Sequence, residues 1–231
     1  MAKTILIGGF GPGISNAVAQ KFGAEGFAVA LVARNAERLA AGVKELESKG
    51  IRAAAFPADL SDPAAVAAVV AKAREALGPI GIVQWTAYDG GAGDLLAADA
   101  AAVRRVLDIP VVCLLAAVKA ALPDLKAAKD GAVLVINGAL GYFDAATDAT
   151  AVKWGAMGLA VANAAKHKLV GLLSQKLKSD GVYVGEAMVA GLVKGTGFEG
   201  NNSQGTIEPS TVADKLWSIY RARNEVTADI H

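Results

Sequence analysis

The sequence predicts an α/β fold with a doubly wound parallel β-sheet. Short aliphatic runs alternate with segments of helical periodicity almost to the end of the 231 residues. The aliphatic runs are continuous rather than alternating, which is typical of strands covered on both faces. Repeated strand-then-helix units favour right-handed crossovers, with helices on both sides of the sheet.

These patterns predict six strands and five helical segments. The strands are expected at 4–7, 28–33, 51–55, 81–85, 132–136 and 182–189. The helical segments are expected at 14–25, 35–49, 63–77, 99–128 and 151–179. A cap at Ser61-Asp62 and a first-turn proline at Pro63 mark the start of the third helix. Pro110 is expected to kink or split the fourth.

Composition excludes several kinds of site. The chain length suits one domain over 1–231, and a net charge of +1 argues against nucleic-acid and membrane partners. One cysteine and two histidines cannot build a disulfide framework or a Cys/His metal site. Cys113 lies in an apolar run and is expected to be a core residue. We expect a cytoplasmic protein, because the first strand leaves no room for a signal peptide and no apolar run approaches about 20 residues.

A glycine-dense turn joins the first strand to the first helix. Gly9, Gly11 and Gly13 allow a tight turn and a close approach of phosphate to the backbone. Ile14 and Ser15 begin the helix, whose N-terminus offers free N–H groups and partial positive charge to an anion. The turn therefore indicates a site for a dinucleotide pyrophosphate; the alternative is an ordinary glycine-rich β–α loop.

The end of the second strand bears on the choice of dinucleotide. An acidic residue there would bond the ribose hydroxyls of NAD, but this chain has Arg34 followed by Asn35. A guanidinium binds phosphate oxygens through paired donors, so Arg34, with Arg38 one turn on, favours NADP over NAD. The alternative is a solvated arginine at a helix start. After the third strand, Asp59 either accepts from the adenine amino group or begins the next helix cap.

These motifs resemble the short-chain dehydrogenase/reductase family over nearly the whole chain. The similar stretches are Gly9-x-x-x-Gly13-Ile14, Ala33-Arg34-Asn35, Ala58-Asp59-Leu60 with the following Ser61-Asp62-Pro63, and Gly181-Val182. The resemblance implies a Rossmann-type sheet of about seven strands, a nicotinamide dinucleotide and a homodimer or homotetramer. It also implies hydride transfer to or from the carbonyl or alcohol of an unknown small-molecule substrate. Further coenzyme contacts implied by the resemblance are Leu60, Thr86, Ala87, Val193 and Thr196.

The chain departs from the family pattern around the coenzyme. Ser15 replaces the third glycine of the turn, although a serine there could still cap or contact phosphate. The family's Asn-Ala-Gly after the fourth strand is Thr86-Ala87-Tyr88, which keeps a hydroxyl and loses the amide. The end of the fifth strand has Asn137 or Gly138 where the family has its catalytic serine.

The family's Tyr-x-x-x-Lys pair, which supplies the proton and lowers the tyrosine pKa, has no counterpart at the expected positions. Counting back from Gly181 places the pair at Leu159 and Asn163, and counting forward from Gly138 places it at Ala151 and Gly155. The asparagine of the family's fourth helix corresponds to Pro110. The usual catalytic residues are therefore predicted to be missing, with the alignment open between 138 and 165.

A displaced group could replace them. Tyr142 follows the fifth strand closely and Lys153 is the nearest lysine in sequence, so this pair is a candidate, with Asp144 and Asp148 as possible bases. The alternative is an ordinary surface or interface loop. Trp154 and Met157 are expected to cover the site or an interface. His167, between Lys166 and Lys168, is expected on the helix surface.

Three hypotheses follow. The first is an NADP-dependent oxidoreductase with an atypical or missing proton donor, since hydride chemistry belongs to the cofactor. The second is a catalytically inactive dinucleotide-binding sensor or assembly partner, and the third is a fold without cofactor. The glycine turn and Arg34 argue against the third. A polar loop near 195–205 is expected to shape the substrate pocket.

Overall fold

A seven-stranded, all-parallel sheet forms the centre of the protein, in a computed structural model that describes residues 3–196 and 206–231. The strand order is β3-β2-β1-β4-β5-β6-β7, so the order reverses between β1 and β4. The strands are β1 (Thr4–Gly8), β2 (Ala28–Ala33), β3 (Ala53–Pro57), β4 (Ile80–Trp85), β5 (Ala132–Gly138), β6 (Tyr183–Val189) and β7 (Thr227–Ile230). The predicted α/β class and doubly wound sheet are confirmed.

Helices cover both faces of this sheet. They are α1 (Ile14–Ala24), α2 (Ala36–Ser48), α3 (Pro63–Leu77), α4 (Ala100–Leu107), α5 (Leu114–Ala127), α6 (Ala145–Lys153), α7 (Met157–Leu177) and α8 (Pro209–Ala222). One apolar cluster lies under α3, α5 and α7, and a second lies under α1, α2 and α8. Two buried faces explain why the strand sequences are continuous apolar runs. Cys113 is fully buried, as predicted.

The third strand was predicted two residues too early. The Ile51 N–H donates to the Leu46 carbonyl at 3.0 Å, and the buried Ile51 side chain packs toward Gly23. Ile51 therefore completes the C-terminal turn of α2, and pairing with β2 begins at Ala53. The sequence patterns also missed α8 and β7, although the family resemblance implied a seventh strand.

The predicted fourth helix is split at Pro110, as expected. A π-helical turn over Asp108–Cys113 separates α4 from α5, because proline has no N–H for the helical ladder. The continuous stretch Ala100–Ala127 is long and apolar enough to cross a membrane by length and composition. This finding differs from the expectation that no segment would be long and apolar enough to cross a membrane. Its residues Val106, Leu114 and Val118 are buried in the protein core, so we interpret the stretch as a core helix.

The predicted helix 151–179 is two helices. Asp144 caps α6, accepting from the N–H groups of Ala146 at 3.1 Å and Thr147 at 2.9 Å. After Lys153 the chain breaks at Gly155, whose φ of +59° ends the helix, and α7 begins at Met157. The break places α6 over the carboxyl ends of the strands and leaves α7 packed along β5 and β6.

Candidate active site

A cavity of about 1430 Å³ lies beyond the carboxyl ends of the strands, where the strand order reverses. Ligands of doubly wound sheets bind at this place. All residues predicted to contact a coenzyme line the cavity: Gly9, Gly11, Gly13, Ile14, Ser15, Arg34, Asn35, Asp59, Leu60, Thr86, Ala87, Val193 and Thr196. Their role in binding stays a prediction. The proposed substrate loop at 195–205 is described only at Gly195 and Thr196.

The glycine turn fits closely against the loop after β4. Gly9 has a φ of +95°, and a Cβ there would lie 2.5 Å from the Ala87 backbone nitrogen. A Cβ on Gly13 would lie 3.1 Å from Thr196 Cγ2. A side chain larger than hydrogen at Gly9 therefore meets backbone, which cannot rotate away. The glycine turn, the loop after β4 and the segment after β6 therefore pack closely together and form the floor of the cavity.

The N-terminus of α1 opens onto this floor. Gly13 caps the helix without a side-chain hydrogen bond. Within the described residues, the N–H groups of Ile14 and Ser15 have no hydrogen-bond partner. Ser15 is buried; its hydroxyl accepts from the Gly11 N–H at 2.7 Å and donates to the Gly11 carbonyl at 3.2 Å. Ser15 thus closes the turn with its side chain and offers only its N–H to an anion.

Arg34 and Arg38 are exposed at one end of the cavity. Asn35 caps α2, its side-chain oxygen accepting from the Arg38 N–H at 2.7 Å. Asp59 Oδ1 accepts from the Ser61 N–H at 3.0 Å and the Ser61 hydroxyl at 2.8 Å. These bonds, with a smaller contribution from the charge of Arg34, lower the pKa of Asp59. The cap of α3 itself is Asp62, which accepts from the Ala64 N–H at 2.8 Å.

The segments after β4 and β6 form opposite walls. Gln84 Nε2 donates to Thr86 Oγ1 at 2.7 Å, so the Thr86 O–H remains to donate elsewhere. Val193 is buried, and its carbonyl accepts from the Thr196 hydroxyl at 2.7 Å. Thr196 therefore uses its hydroxyl to hold its own turn.

The end of β5 explains why no serine is present. A Cβ on Gly138 would lie 2.7 Å from the side-chain amide nitrogen of Asn163. Asn137 points the other way: its Nδ2 donates to the Asn163 carbonyl at 3.1 Å and to Glu186 Oε2 at 3.0 Å. The space that a serine would occupy at 138 is therefore taken by Asn163.

The structure decides between the two registers left open for the Tyr-x-x-x-Lys pair. Leu159 and Asn163 both line the cavity from α7, whereas Ala151 and Gly155 do not. Leucine has no proton to transfer, and the asparagine amide does not titrate. Neither residue of the register that faces the cavity could take the role of the usual pair, and the absence of that pair stays a prediction.

Neither displaced candidate lies in the cavity. The Tyr142 hydroxyl donates to Asp229, and its ring packs edge-on against His167. Burial, followed by the hydrogen bond to Asp229, raises the pKa of Tyr142. Lys153 is exposed at the C-terminal end of α6. Instead α6 contributes Thr147, Thr150 and the 61% exposed Trp154 to the cavity.

The sequence analysis missed Lys166, which is buried with 2% of its surface exposed and lines the cavity. His167, also expected at the surface, is half-buried and pairs with the fully buried Glu186. The flanking charges made this segment resemble a solvated surface. The helical period was the available signal: Lys166 follows Leu159 by seven residues and Asn163 by three, so all three share one face.

Burial lowers the pKa of Lys166 to about 8, while the negative charge of Glu186 opposes the shift. Between that value and the ordinary value of 10.5, the unfolded chain binds a proton that the folded protein lacks. We therefore expect the free energy of unfolding of wild type, relative to Lys166→Met, to rise between pH 8 and 10.5, by about 3 kcal/mol in all.

Urea unfolding from pH 7 to pH 10.5 measures this difference. Lys168→Met, at an exposed position on the same helix, is the matched control and should parallel wild type at every pH. If the difference in the free energy of unfolding between wild type and Lys166→Met stayed constant from pH 8 to 10.5, that result would contradict the buried position of Lys166.

Comparison with known proteins identifies the fold family. A model of the short chain dehydrogenase family matches residues 3–205. This chain belongs to the short-chain dehydrogenase family. The cavity therefore occupies the place at which this fold binds its ligands.

Individual relatives match shorter stretches of this short-chain dehydrogenase. It is 38% identical over 81 residues to the 2,3-dihydro-2,3-dihydroxybenzoate dehydrogenase of Bacillus subtilis (strain 168), covering 35% of this chain and 31% of that protein. It is 33% identical over 141 residues to oxidoreductase UcpA of Escherichia coli (strain K12), covering 60% and 52%. The matches thus span between about a third and a half of these relatives.

A solved structure matches nearly the whole chain. The short-chain dehydrogenase from Sphingobium yanoikuyae, in complex with NADPH, superposes with a TM-score of 0.81 at 26% identity. The match covers 98% of this chain and 87% of that one. The sheet and helices described above are therefore those of a known short-chain dehydrogenase.

Proposed function

We propose that this protein is an NADP(H)-dependent oxidoreductase that acts on a carbonyl or alcohol group of a small molecule. The observation that carries the proposal is the glycine turn with unpaired helix N–H groups at the floor of a cavity that has Arg34 at one end. The Sphingobium relative, solved with NADPH, supports the choice of coenzyme.

The described residues fit such a coenzyme. The floor at Gly9 is too close to the Ala87 backbone for any Cβ, and at Gly13 a Cβ would be in tight contact with Thr196, which favours bare backbone for a pyrophosphate. We expect Ile14 and Ser15 to hold it through their N–H groups, and Arg34 to hold the 2′-phosphate. Asp59, Leu60 and the backbone after β4 would enclose the adenine side.

When bound, the nicotinamide coenzyme supplies the hydride and the redox chemistry. The chain's own residues must orient the substrate, exclude water and handle one proton. Thr86, Leu159 and Asn163 line the cavity, and we place the substrate carbonyl near them. Trp154 at the rim and the rest of α6 would cover it.

A second candidate is a dinucleotide-binding sensor or assembly partner without catalytic activity. Leu159 and Gly138 favour it, since neither can transfer a proton to substrate. A panel of carbonyl substrates with NADPH separates the two: measurable turnover supports the oxidoreductase, and tight NADPH binding without turnover supports the sensor. A Tyr142→Phe variant included in the panel should match wild type, because Tyr142 does not line the cavity.

The coenzyme preference has a direct test at Arg34. We expect Arg34→Ala to weaken NADPH binding by about 10- to 100-fold, which corresponds to the loss of charged hydrogen bonds to a phosphate. NADH, which lacks the 2′-phosphate, should bind both proteins equally. Fluorescence titration with each nucleotide measures the dissociation constants of wild type and Arg34→Ala.

Arg52→Ala is the matched control for this test. Arg52 is also exposed but donates to the Ala76 carbonyl at 2.7 Å, and it lies at the amino ends of the strands, away from the cavity. Arg52→Ala should leave the dissociation constants for NADPH and NADH unchanged. Equal binding of NADPH and NADH by wild type would count against a phosphate role for Arg34.

Three further expectations stay predictions: one domain over 1–231, a cytoplasmic location, and a homodimer or homotetramer. Exposed apolar side chains at Val112, Val161 and Leu172 on one group of helices are a candidate surface for assembly.

A further inference from the structure

Lys166 is a buried cation at the wall of the cavity. Its side chain is 2% exposed and shares the α7 face of Leu159 and Asn163. Within the described residues, its ammonium makes no hydrogen bond. A buried polar group without a protein partner is costly, and this one reaches the cavity. It is therefore available to a ligand there.

Glu186 supplies a buried negative charge behind Lys166. It is fully buried in β6 and acts electrostatically on Lys166. Its Oε2 accepts from Asn137 Nδ2 at 3.0 Å, and its Oε1 accepts from the Thr227 hydroxyl at 3.0 Å and pairs with His167 Nδ1. These bonds hold the carboxylate in one orientation between Lys166 and His167.

His167 connects this carboxylate to solvent. Its side chain is 33% exposed. Because an ionised carboxylate only accepts, Nδ1 donates to Glu186 and Nε2 remains for water. The ring of Tyr142 packs against it at 5.7 Å between centroids, which fixes the imidazole plane. Glu186 and His167 thus form a hydrogen-bonded pair that reaches the surface, and Glu186 acts on Lys166 through its charge.

We propose that Lys166 is the proton donor and acceptor of this site, in place of the absent tyrosine, and that the charge of Glu186, whose carboxylate is held by His167, favours its protonated form. The proposal rests on the oxidoreductase function proposed above. It assigns Lys166 as a catalytic residue and Glu186 and His167 as positioning residues.

The proton balance of the proposed step is simple. As hydride adds to the carbonyl carbon, the C=O π electron pair moves to oxygen. That oxygen takes a proton from Lys166, so an N–H bond breaks, an O–H bond forms, and a neutral amine remains. The neutral amine then takes up a proton from solvent, which restores the ammonium. Oxidation of the alcohol runs the same steps backwards.

The environment suits this task. A general acid works best when its pKa is near the working pH, and burial lowers the pKa of Lys166 to about 8. Glu186 from β6 acts on Lys166 through its charge, and behind Glu186 lie His167 on the same helix as Lys166 and Tyr142 with Asp229 beyond. Carbonyl reduction should therefore slow as pH rises through about 8, since Lys166 then loses its proton.

Lys166→Met tests the proposal, with Lys168→Met as the matched exposed control. We expect kcat for carbonyl reduction to fall by at least about 100-fold in Lys166→Met, with NADPH affinity within about threefold of wild type. The decrease in the rate of carbonyl reduction above pH 8 should be absent in Lys166→Met. Lys166→Arg keeps the charge but does not deprotonate, so it should not restore kcat.

A readout independent of turnover is NMR of lysine labelled with ¹³C at Cε. In wild type, one lysine should titrate near pH 8 and shift on addition of NADPH; that signal should be absent in Lys166→Met and present in Lys168→Met. Because the titration near pH 8 is measured on wild type, the proposal can still be tested if a variant fails to fold.

The outcomes separate the two proposals. Failure of wild type to bind NADPH, or to reduce any carbonyl, overturns the proposed function and this inference with it. Wild-type turnover that persists in Lys166→Met, or the lack of any lysine titrating near pH 8, overturns the role of Lys166 alone.

Discussion

Glu186→Ala should lower the free energy of unfolding by about 3–5 kcal/mol, because it removes a buried carboxylate that three side chains contact and whose charge acts on Lys166. Lys166 would stay buried without its counter-charge, and Asn137, His167 and Thr227 would each lose an acceptor. A buried donor that loses its partner carries its full desolvation penalty. Urea unfolding at pH 7 measures the change.

Two variants show whether the interaction of Glu186 with Lys166 causes this loss of stability. Lys166→Met combined with Glu186→Ala should recover part of the loss, since no unpaired ammonium then remains buried. Glu208→Ala breaks the exposed pair with Lys194, which is 2.9 Å long, and should cost at most about 1 kcal/mol. A double variant no more stable than Glu186→Ala would show that Lys166 and Glu186 are not coupled.

Gly9→Ala should abolish measurable NADPH binding and also destabilise the fold. At a φ of +95° an alanine costs about 1–3 kcal/mol in backbone strain. Its Cβ would additionally lie 2.5 Å from the Ala87 nitrogen and 2.7 Å from the Ala87 Cα. The loop after β4 must move to relieve this clash, and that movement deforms the floor of the cavity. Thermal unfolding and NADPH fluorescence titration measure the two effects.

Gly26→Ala separates strain from clash. Gly26 has a nearly equal φ of +92°, but a Cβ there meets nothing within 4 Å. We expect it to lower stability by the strain alone and to leave NADPH affinity unchanged, because it lies at the far end of α1. If Gly9→Ala bound NADPH as tightly as Gly26→Ala does, the glycine turn would not be where the coenzyme is held.

The coenzyme end of the site was predictable because it is local in sequence. A glycine turn between a strand and a helix places backbone N–H groups together, whatever the rest of the fold does. Arg34 directly follows a strand, and parallel strands end at one edge of the sheet. Short-range rules also located Pro110 as the break in the long helix and Asp62 with Pro63 as the start of α3.

The catalytic end was not predictable from the same rules. Its residues come from β5, α7 and β6, which are far apart in the chain. The break between α6 and α7 at Gly155 made two registers possible for the missing pair, and only packing shows that Leu159 and Asn163 face the cavity. Tyr142 and Lys153 are near the site in sequence but outside it in space.

The sequence by itself determined the α/β class and the doubly wound sheet, and it predicted the phosphate-binding turn and the loss of the family's serine, tyrosine and lysine. Each depends on residue type within one segment. The tertiary structure alone decided that Lys166 and Glu186 are buried beside each other and that His167 leads from them to solvent. Burial and charge pairing depend on which segments meet, and local periodicity does not contain that information.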